Sequence, residues 1–169
     1  MDATELLTDA FRRVEDLVRT TVDGLDADGL TYRPDAEANP IGWLVWHLTR
    51  IEDDHVAEIA GREQAWTAAG WADAFGMSPD PDDTGFGHTS EQVAAHCPTD
   101  SGLLVDYHEV VSARTREWLD AANPDDLDRV IDRRWDPPVT VGVRLVSVIG
   151  DALQHLGQAA YVRGLWERR

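Results

Sequence analysis

The sequence predicts an all-α protein, a four-helix bundle with a long crossover between the second and third long helices. Four long stretches carry apolar residues at intervals of three and four, and typical helix caps flank them. A weakly patterned region, residues 62–98, separates the second stretch from the third and contains short helical stretches at 64–69 and 90–96. With 169 residues, 43% of them hydrophobic, we expect residues 1–169 to form a single domain.

The first two long helices are predicted from the N-terminal third of the chain. Residues 2–22 place one apolar stripe at helical spacing, which indicates an amphipathic helix. Asn39 is typical of an N-cap and Pro40 of the first helical position, and Gly61 is typical of a helix end. We therefore expect the second helix over residues 40–60.

The last two long helices are predicted on either side of a loop or short β excursion. Thr99 or Asp100 can cap the third helix, which runs to Asn123. Thr140 is the expected N-cap of the fourth helix, which extends to about Trp166 and carries apolar residues along one side. No internal repeat or low-complexity segment competes with a bundle.

Composition excludes several classes of function. A formal net charge of −17, with 15 basic residues scattered among 32 acidic ones, disfavours nucleic acids and other polyanions as partners. No apolar run approaches the ~18 residues of a membrane span, and the N-terminus lacks the pattern of a secretory signal. We therefore expect no membrane association and a cytoplasmic location. All 15 basic residues are arginine, a bias typical of GC-rich genomes, which include those of actinobacteria.

Cysteine usage narrows the chemistry of any metal site. Cys97 is the only cysteine, so neither an internal disulfide nor a cysteine-rich zinc site can form. Histidine and carboxylate side chains remain as the available ligands. A lone cysteine also fits a reducing compartment.

A candidate metal site follows from the spacing of two polar side chains in the last helix. Asp151 and His155 are four residues apart, which puts both on one side of the helix, about 6 Å apart along its axis. His47 stands among bulky apolar residues of the second helix and is the candidate third ligand. The same residues also fit a second interpretation, in which the histidines are hydrogen-bonded core residues and Asp151 pairs with Arg144 or Arg163.

Other polar and small residues are weaker candidates. His55 is eight residues beyond His47, too far along a helix to share its ion, and we expect it to be solvated. His108 could approach the site from the third helix, but a position in the core or at the rim is the stronger expectation. Gly150 and Gly157 are expected to permit close packing of the last helix.

The second and last predicted helices resemble a known superfamily. The stretches 39–48 (NPIGWLVWHL) and 151–158 (DALQHLGQ) are similar to the DinB/YfiT-like superfamily of metalloenzymes, and the likeness extends over nearly the whole chain. The resemblance implies a four-helix bundle in which one histidine of the second helix and an H-x-x-x-H pair of the fourth hold a divalent metal, with Gly-Gln after the pair. At these positions the ligands are His47, Asp151 and His155. The resemblance favours metal binding over hydrogen-bonded core histidines.

Asp151 stands at the first position of the H-x-x-x-H pair, and this difference from histidine indicates one branch of the superfamily. The mycothiol-dependent maleylpyruvate isomerases and mycothiol transferases of actinobacteria have a carboxylate at this position, usually Glu. Asp is one methylene shorter, so it could bind the ion more weakly, draw the helix closer or act through a water. The resemblance implies a metal-dependent S-transferase or isomerase that uses a low-molecular-weight thiol, with mycothiol as cosubstrate and a small electrophile as its other partner.

The sequence leaves three functions open. The leading hypothesis is this thiol-dependent enzyme. The alternatives are a non-catalytic bundle that binds metal or a small ligand in a stress response, and a structural bundle with a vestigial site. Two imidazoles and one carboxylate suit zinc, nickel, iron or cobalt, and no catalytic or thiol-binding residue is assigned. Related bundles often pair through their helix faces, which makes a homodimer a candidate assembly, although no surface stripe in the sequence establishes one.

Overall fold

The computed structural model describes residues 1–169, which form eight α-helices, one 3-10 helix and a two-stranded antiparallel sheet. The helices are α1 (Ala3–Val22), α2 (Ala27–Thr31), α3 (Ile41–Ala60), α4 (Ala65–Ala68), α5 (Trp71–Ala74), α6 (Ser90–Ala95), α7 (Ser101–Ala121) and α8 (Val141–Trp166). The 3-10 helix spans Pro124–Asp128, and the strands are β1 (Val130–Asp132) and β2 (Val139–Thr140).

The four long helices α1, α3, α7 and α8 form the predicted bundle. α3 packs against α7 and α8, and α1 packs against the same two helices, so α1 and α3 lie diagonally across the bundle. The contact between α3 and α8 is the most extensive of all. The all-α fold and the long crossover between the second and third long helices, here α3 and α7, are confirmed.

Side-chain caps begin three of the long helices. The carboxylates of Asp2 and Asp100 and the hydroxyl of Thr140 each accept a hydrogen bond from a backbone amide of the first turn. The predicted N-cap role of Asn39 is wrong, because α3 begins one residue later and Pro40 occupies the cap position without a side-chain bond. The φ of Pro40, −75°, suits both an extended cap and a first helical turn, so the residue type alone does not distinguish them.

The core surrounds α3, in which 15 of the 20 residues are buried. One apolar cluster of 22 buried residues includes Trp43, Trp46 and Leu104, and a second of eight includes Phe11 and Leu145. Because apolar residues cover most of its circumference, the polar side chains of α3 lie inside the protein and need partners there. None of the helices combines the length and the apolar character needed to cross a lipid bilayer.

The crossover, residues 61–100, is held against α3 by Arg50 and Asp53, which form a buried ion pair at 3.7 Å. Arg50 is fully buried and donates to the backbone carbonyls of Pro81 and Asp83 at 3.0 and 3.2 Å. Asp53 accepts from the amides of Ala65 and Trp66, both at 2.8 Å, and so caps α4. The predicted short helices correspond to α4 and α6, whereas α5, only four residues long, was too short to predict.

The two glycines of α8 do not serve close packing within the chain. A Cβ atom at Gly150 or Gly157 would find nothing within 4 Å, so the expectation of a tight helix contact there is wrong. The close approaches occur elsewhere: a Cβ on Gly42 would lie 2.3 Å from the carbonyl oxygen of Pro98. Glycine at residue 42 therefore allows the end of the crossover to reach α3.

Candidate metal centre

The structure brings together the three side chains that the sequence selected. His47 projects from α3 and Asp151 and His155 from α8, and each offers one ligand-type atom within 4.8 Å of the others. The two imidazole rings meet edge to face, with centroids 4.8 Å apart. Because α3 and α8 form the most extensive helix pair, these side chains are held between two firmly packed helices.

Each of the two imidazole rings is fixed by a hydrogen bond at its Nδ1 atom. Nδ1 of His47 lies 2.6 Å from the backbone oxygen of Thr84, and Nδ1 of His155 lies 2.9 Å from Oε1 of Gln158. Because a carbonyl oxygen only accepts hydrogen bonds, each Nδ1 carries the proton and donates. In a neutral ring the lone pair is then on Nε2 and can bind a cation. Histidines that bind metals commonly have this arrangement, with the other ring nitrogen donating to an acceptor.

Asp151 carries a buried oxygen that has no partner. Its Oδ1 lies 3.4 Å from Nε2 of His155, whereas its Oδ2 is buried and forms no hydrogen bond. A buried carboxylate oxygen without a partner is uncommon, and it is accounted for when a cation binds there. The donor set of two imidazole nitrogens and one carboxylate oxygen fits a divalent transition metal.

The arginines proposed as partners of Asp151 pair with other groups. Arg144 lies 3.8 Å from Glu58 and 3.6 Å from Asp132, and Arg163 forms a 2.7 Å bond with Glu167. Arg163 also donates to backbone carbonyls at the end of α1. The interpretation of Asp151 as the ion-pair partner of an arginine is therefore wrong for this structure.

The pKa values of His47 and His155 are shifted in opposite directions. Burial lowers the pKa of His47, and the nearby ring of His155 acts in the same direction, which keeps His47 neutral and able to bind a cation. Burial also acts to lower the pKa of His155, but the hydrogen bonds to Asp151 and Gln158 and the charge of Asp151 outweigh it, so that pKa is raised. Asp151 is thus the main source of negative potential at the site.

A glycine in the crossover brings the Thr84 carbonyl to His47. Gly85 has φ +86°, and a Cβ there would lie 2.8 Å from the ring of Trp46 and 3.2 Å from Nδ1 of His47. Only glycine combines this backbone conformation with so close an approach. The sequence reasoning missed both Thr84 and Gly85, although the pair of glycines around Phe86 marked a segment with special backbone geometry.

Aromatic rings and a further histidine cover the outer side of His47. The ring of Trp43 stacks on His47 with centroids 4.8 Å apart, and Nε1 of Trp43 donates to Nδ1 of His88 at 3.3 Å. Nε2 of His88 lies 2.9 Å from Oδ1 of Asp83. This chain from Trp43 to Asp83 ties the crossover to α3 beside the site. His88 and Asp83 were also missed, because nothing in their spacing pointed to His47.

The remaining histidine candidates lie away from the three converging side chains. His55 is only 25% exposed and lies 2.9 Å from Arg144, so the expectation that it is solvated is wrong. Burial and the charge of Arg144 lower its pKa to about 4. His108 is fully buried on α7 beside Thr49, which agrees with a position in the core.

Comparisons with known proteins identify the family. The mycothiol-S-transferase family matches residues 6–167 of this chain. The crystal structure of the conserved protein of a locus from Enterococcus faecalis is similar to it, with 30% sequence identity and a TM-score of 0.91. That similarity covers 100% of this chain and 99% of the other. A search of curated proteins found no match. The resemblance to the mycothiol transferase branch is confirmed, and the chain belongs to the mycothiol-S-transferase family.

Proposed function

We propose that this protein is a metal-dependent enzyme that joins a low-molecular-weight thiol to a small electrophile, with His47, Asp151 and His155 as the metal ligands. The observation that carries the proposal is the unpartnered buried Oδ2 of Asp151 beside two imidazoles whose Nδ1 atoms are already held. Membership of the mycothiol-S-transferase family supports a thiol as the cosubstrate. A divalent ion at these residues would lower the pKa of a bound thiol, so that thiolate predominates near neutral pH.

The residues of the chain prepare the site for this chemistry. Thr84 and Gln158 hold the two imidazoles in one tautomer, so their Nε2 atoms are available without rearrangement. His47, Asp151 and His155 would supply three protein ligands, fewer than the four or more that a divalent transition metal takes, so that substrate could also bind the ion. Trp43, only 5% exposed, stacks on His47 and excludes water from that side. In the transfer step the thiolate sulfur forms a bond to the electrophilic carbon, the leaving group departs with its electron pair, and the thiol proton passes to solvent.

Metal content is the first test of the site. We expect protein purified without an affinity tag to contain stoichiometric zinc, nickel, iron or cobalt by elemental analysis, and the His47→Ala, His155→Ala double variant to contain none. A matched double variant, His55→Ala with His96→Ala, also removes two histidines but leaves the proposed ligands intact, and it should keep its metal. Equal metal in all three proteins would refute the ligand assignment.

Turnover is the second test and separates an enzyme from a metal-binding protein. The metal-loaded protein should conjugate mycothiol to members of a panel of alkyl halides faster than the uncatalysed reaction. Removal of the metal should abolish this rate, and restoring it should recover the rate. Metal binding without metal-dependent turnover would instead support the non-catalytic alternative, a metal- or ligand-binding bundle in a stress response.

A further inference from the structure

One side of α8 faces outward along most of the helix and carries no charged side chain. This surface, the α8 stripe, begins with Val143, Val146 and Ser147, and the same three positions recur seven and fourteen residues later. Seven residues are close to two turns, so these positions share one side of the helix. All of them are exposed except Gly150, which is half-buried.

The α8 stripe contains much of the apolar surface that the protein exposes. Four of its ten exposed large apolar residues lie here: Val143, Val146, Leu153 and Tyr161. Scattered single apolar residues are normal on a surface, but a contiguous group at helical spacing is typical of a face that contacts another molecule.

Two glycines of the stripe serve no purpose within the chain. A Cβ atom at Gly150 or Gly157 would find nothing within 4 Å, and glycine weakens a helix relative to alanine. Both glycines flank Leu153, where they leave shallow positions beside a large apolar side chain. The distance between two packed helices depends on the side chains at their contact, so these positions allow a second helix to approach closely.

The charges of the protein favour a second copy of the chain as the partner. Each copy has a net charge of −17 and exposes acids such as Asp9 on α1 and Asp106 on α7, so two copies repel each other across such surfaces. The charged residues of α8, Arg144, Asp151 and Arg163, lie outside the stripe. Two copies of an uncharged stripe match each other, whereas a basic partner would favour the acidic surfaces.

The α8 stripe also matches itself under a two-fold rotation. In a symmetric dimer the same surface of both copies must be self-complementary. Rotation about a point just after Leu153 reverses the helix direction and brings Gly150 opposite Gly157. The same rotation brings Val146 opposite Tyr161. The positions without side chains therefore meet near the centre, and the large side chains meet farther out.

α1 widens this surface. Leu17 is two residues, about 200°, around the helix from Glu15, which accepts from Ser112 of α7. Leu17 therefore lies on the flank of α1 toward α8, and Leu6 lies three turns earlier on the same flank. They are 42% and 57% exposed. Two helices, each about 10–12 Å wide and about 27 Å long, offer roughly 550–650 Å² per copy, which in total exceeds the ~1,000 Å² expected of a specific interface.

We propose that the α8 stripe and the adjoining flank of α1 contact the same surface of a second copy, which gives a two-fold symmetric dimer with antiparallel α8 helices. The proposal does not depend on the proposed function. Asp151 and His155 converge with His47 of α3 and lie outside the stripe, so the second copy leaves the candidate metal centre accessible. The sequence did not reveal the stripe, because apolar residues also fill the buried side of α8.

The mass of the full chain in solution tests the dimer. We expect sedimentation velocity at micromolar concentration to give twice the 18.8 kDa of the chain. Leu153→Glu puts two carboxylates near the two-fold axis and should raise the dimer dissociation constant at least about a hundredfold. Val110→Glu is the matched control, because Val110 is also exposed but lies on α7, and this variant should remain a dimer. Circular dichroism melting verifies that both variants are folded.

A mixing experiment tests the antiparallel arrangement. Val146→Glu and Tyr161→Arg should each weaken the dimer, because each buries an unpaired charge. An equimolar mixture of the two variants should recover a dimer with one copy of each, since residue 146 of one copy faces residue 161 of the other. In a parallel pair residue 146 would face residue 146, and mixing would recover nothing.

Three results would overturn the proposal. The first is a wild type that stays monomeric at every concentration, and the second is a Leu153→Glu variant that dimerises as the wild type does. The third is a mixture of Val146→Glu and Tyr161→Arg that stays monomeric. A monomeric wild type that cosediments with phosphatidylcholine vesicles, while Leu153→Glu does not, would assign the α8 stripe to a lipid surface instead.

Discussion

Buried polar residues lie on both sides of α3, but the two sides differ in the partners that these residues find. Toward α8, His47 meets Asp151 and His155, and one buried oxygen of Asp151 has no partner. Toward α7 and the crossover, Asp53 accepts two backbone amides and the hydroxyl of Tyr107, and Arg50 is bonded to the crossover backbone. Both sides contain buried ionisable groups, so burial alone does not distinguish a functional site.

The α7 side also contains a closed glutamate–threonine pair. Glu52 is fully buried, and its Oε1 accepts a 2.6 Å hydrogen bond from the hydroxyl of Thr115. His108 lies close by, with Nδ1 3.2 Å from the hydroxyl of Thr49. Nε2 of His108 is also buried without a hydrogen-bond partner, but no second ligand-type side chain converges on it as His47 and His155 converge with Asp151.

The difference between the two sides indicates which feature marks a site. On the α7 side hydrogen bonds join helices and the crossover, which stabilises the fold. On the α8 side Nδ1 of both histidines is held, and the three ligand-type side chains converge with only the 3.4 Å contact between Nε2 of His155 and Oδ1 of Asp151 among them, which leaves Oδ2 of Asp151 without a partner. We therefore expect changes on the α7 side to reduce stability and changes on the α8 side to reduce metal binding, and four predictions test this division.

The largest effect on stability is expected for Asp53→Ala. This change leaves the buried Arg50 without its carboxylate 3.7 Å away and removes the acceptor of the amides of Ala65 and Trp66. We expect the free energy of unfolding in urea to fall by about 3–5 kcal/mol. Asp9→Ala, which removes an exposed pair with Arg13, should lower it far less, because solvent screens an exposed ion pair. Equal losses in the two variants would contradict the structural role of the α7 side.

The second largest effect is a pH dependence of the unfolding free energy that arises from Glu52. Burial raises the pKa of Glu52 from 4.5 to about 7, against the hydrogen bond from Thr115, which lowers it. Between these values the unfolded chain releases a proton that the folded chain retains, so stability is full below pH ~4.5 and falls as pH rises through ~7. We expect the loss to be about 3 kcal/mol.

The Glu52→Gln variant isolates this loss. Glutamine has no proton to release, so the difference in unfolding free energy between wild type and variant should shift by about 3 kcal/mol in favour of the variant between pH ~4.5 and ~8. The buried histidines titrate in both proteins and their effect cancels. Parallel stability profiles of the two proteins over this range would show that Glu52 is not held protonated.

An intermediate effect, on both stability and metal affinity, is expected for Gly85→Ala. The added Cβ would lie 2.8 Å from Trp46, in a backbone conformation of φ +86°. We expect a loss of about 2 kcal/mol in stability and at least about tenfold in metal affinity, because the Thr84 carbonyl would move away from His47. Gly87→Ala is the matched control, since φ is +81° there but nothing lies within 4 Å. It should lose about 1 kcal/mol and keep its metal affinity.

The smallest effect on stability is expected for Asp151→Ala. The buried Oδ2 has no partner to lose, and Oδ1 loses only its 3.4 Å contact with Nε2 of His155, so we expect the stability of metal-free protein to change by less than about 0.5 kcal/mol. Metal affinity, measured by competition with a chelator, should fall by at least about a hundredfold. Asp151→Glu keeps a carboxylate and should retain metal. A stability loss as large as that of Asp53→Ala would place Asp151 with the structural network instead.

The sequence by itself predicted the bundle and the three residues of the candidate metal centre. The apolar periodicity of four stretches requires helices that bury one side, and Thr140 and Gly61 bound two of those helices where expected. The spacing of Asp151 and His155 put them on one side of α8 because a helix repeats every 3.6 residues. Periodicity is a local property, so it can be read from the chain without knowledge of the tertiary structure.

Only the tertiary structure decided which groups surround the centre. Thr84 and His47 are 37 residues apart, and no local pattern predicts that a backbone carbonyl of the crossover reaches an imidazole on α3. The same holds for His55, whose partner Arg144 is 89 residues away. The path of the crossover over α3 is set by the sum of many weak contacts and by the Arg50–Asp53 pair, and such a sum exists only once the chain is folded.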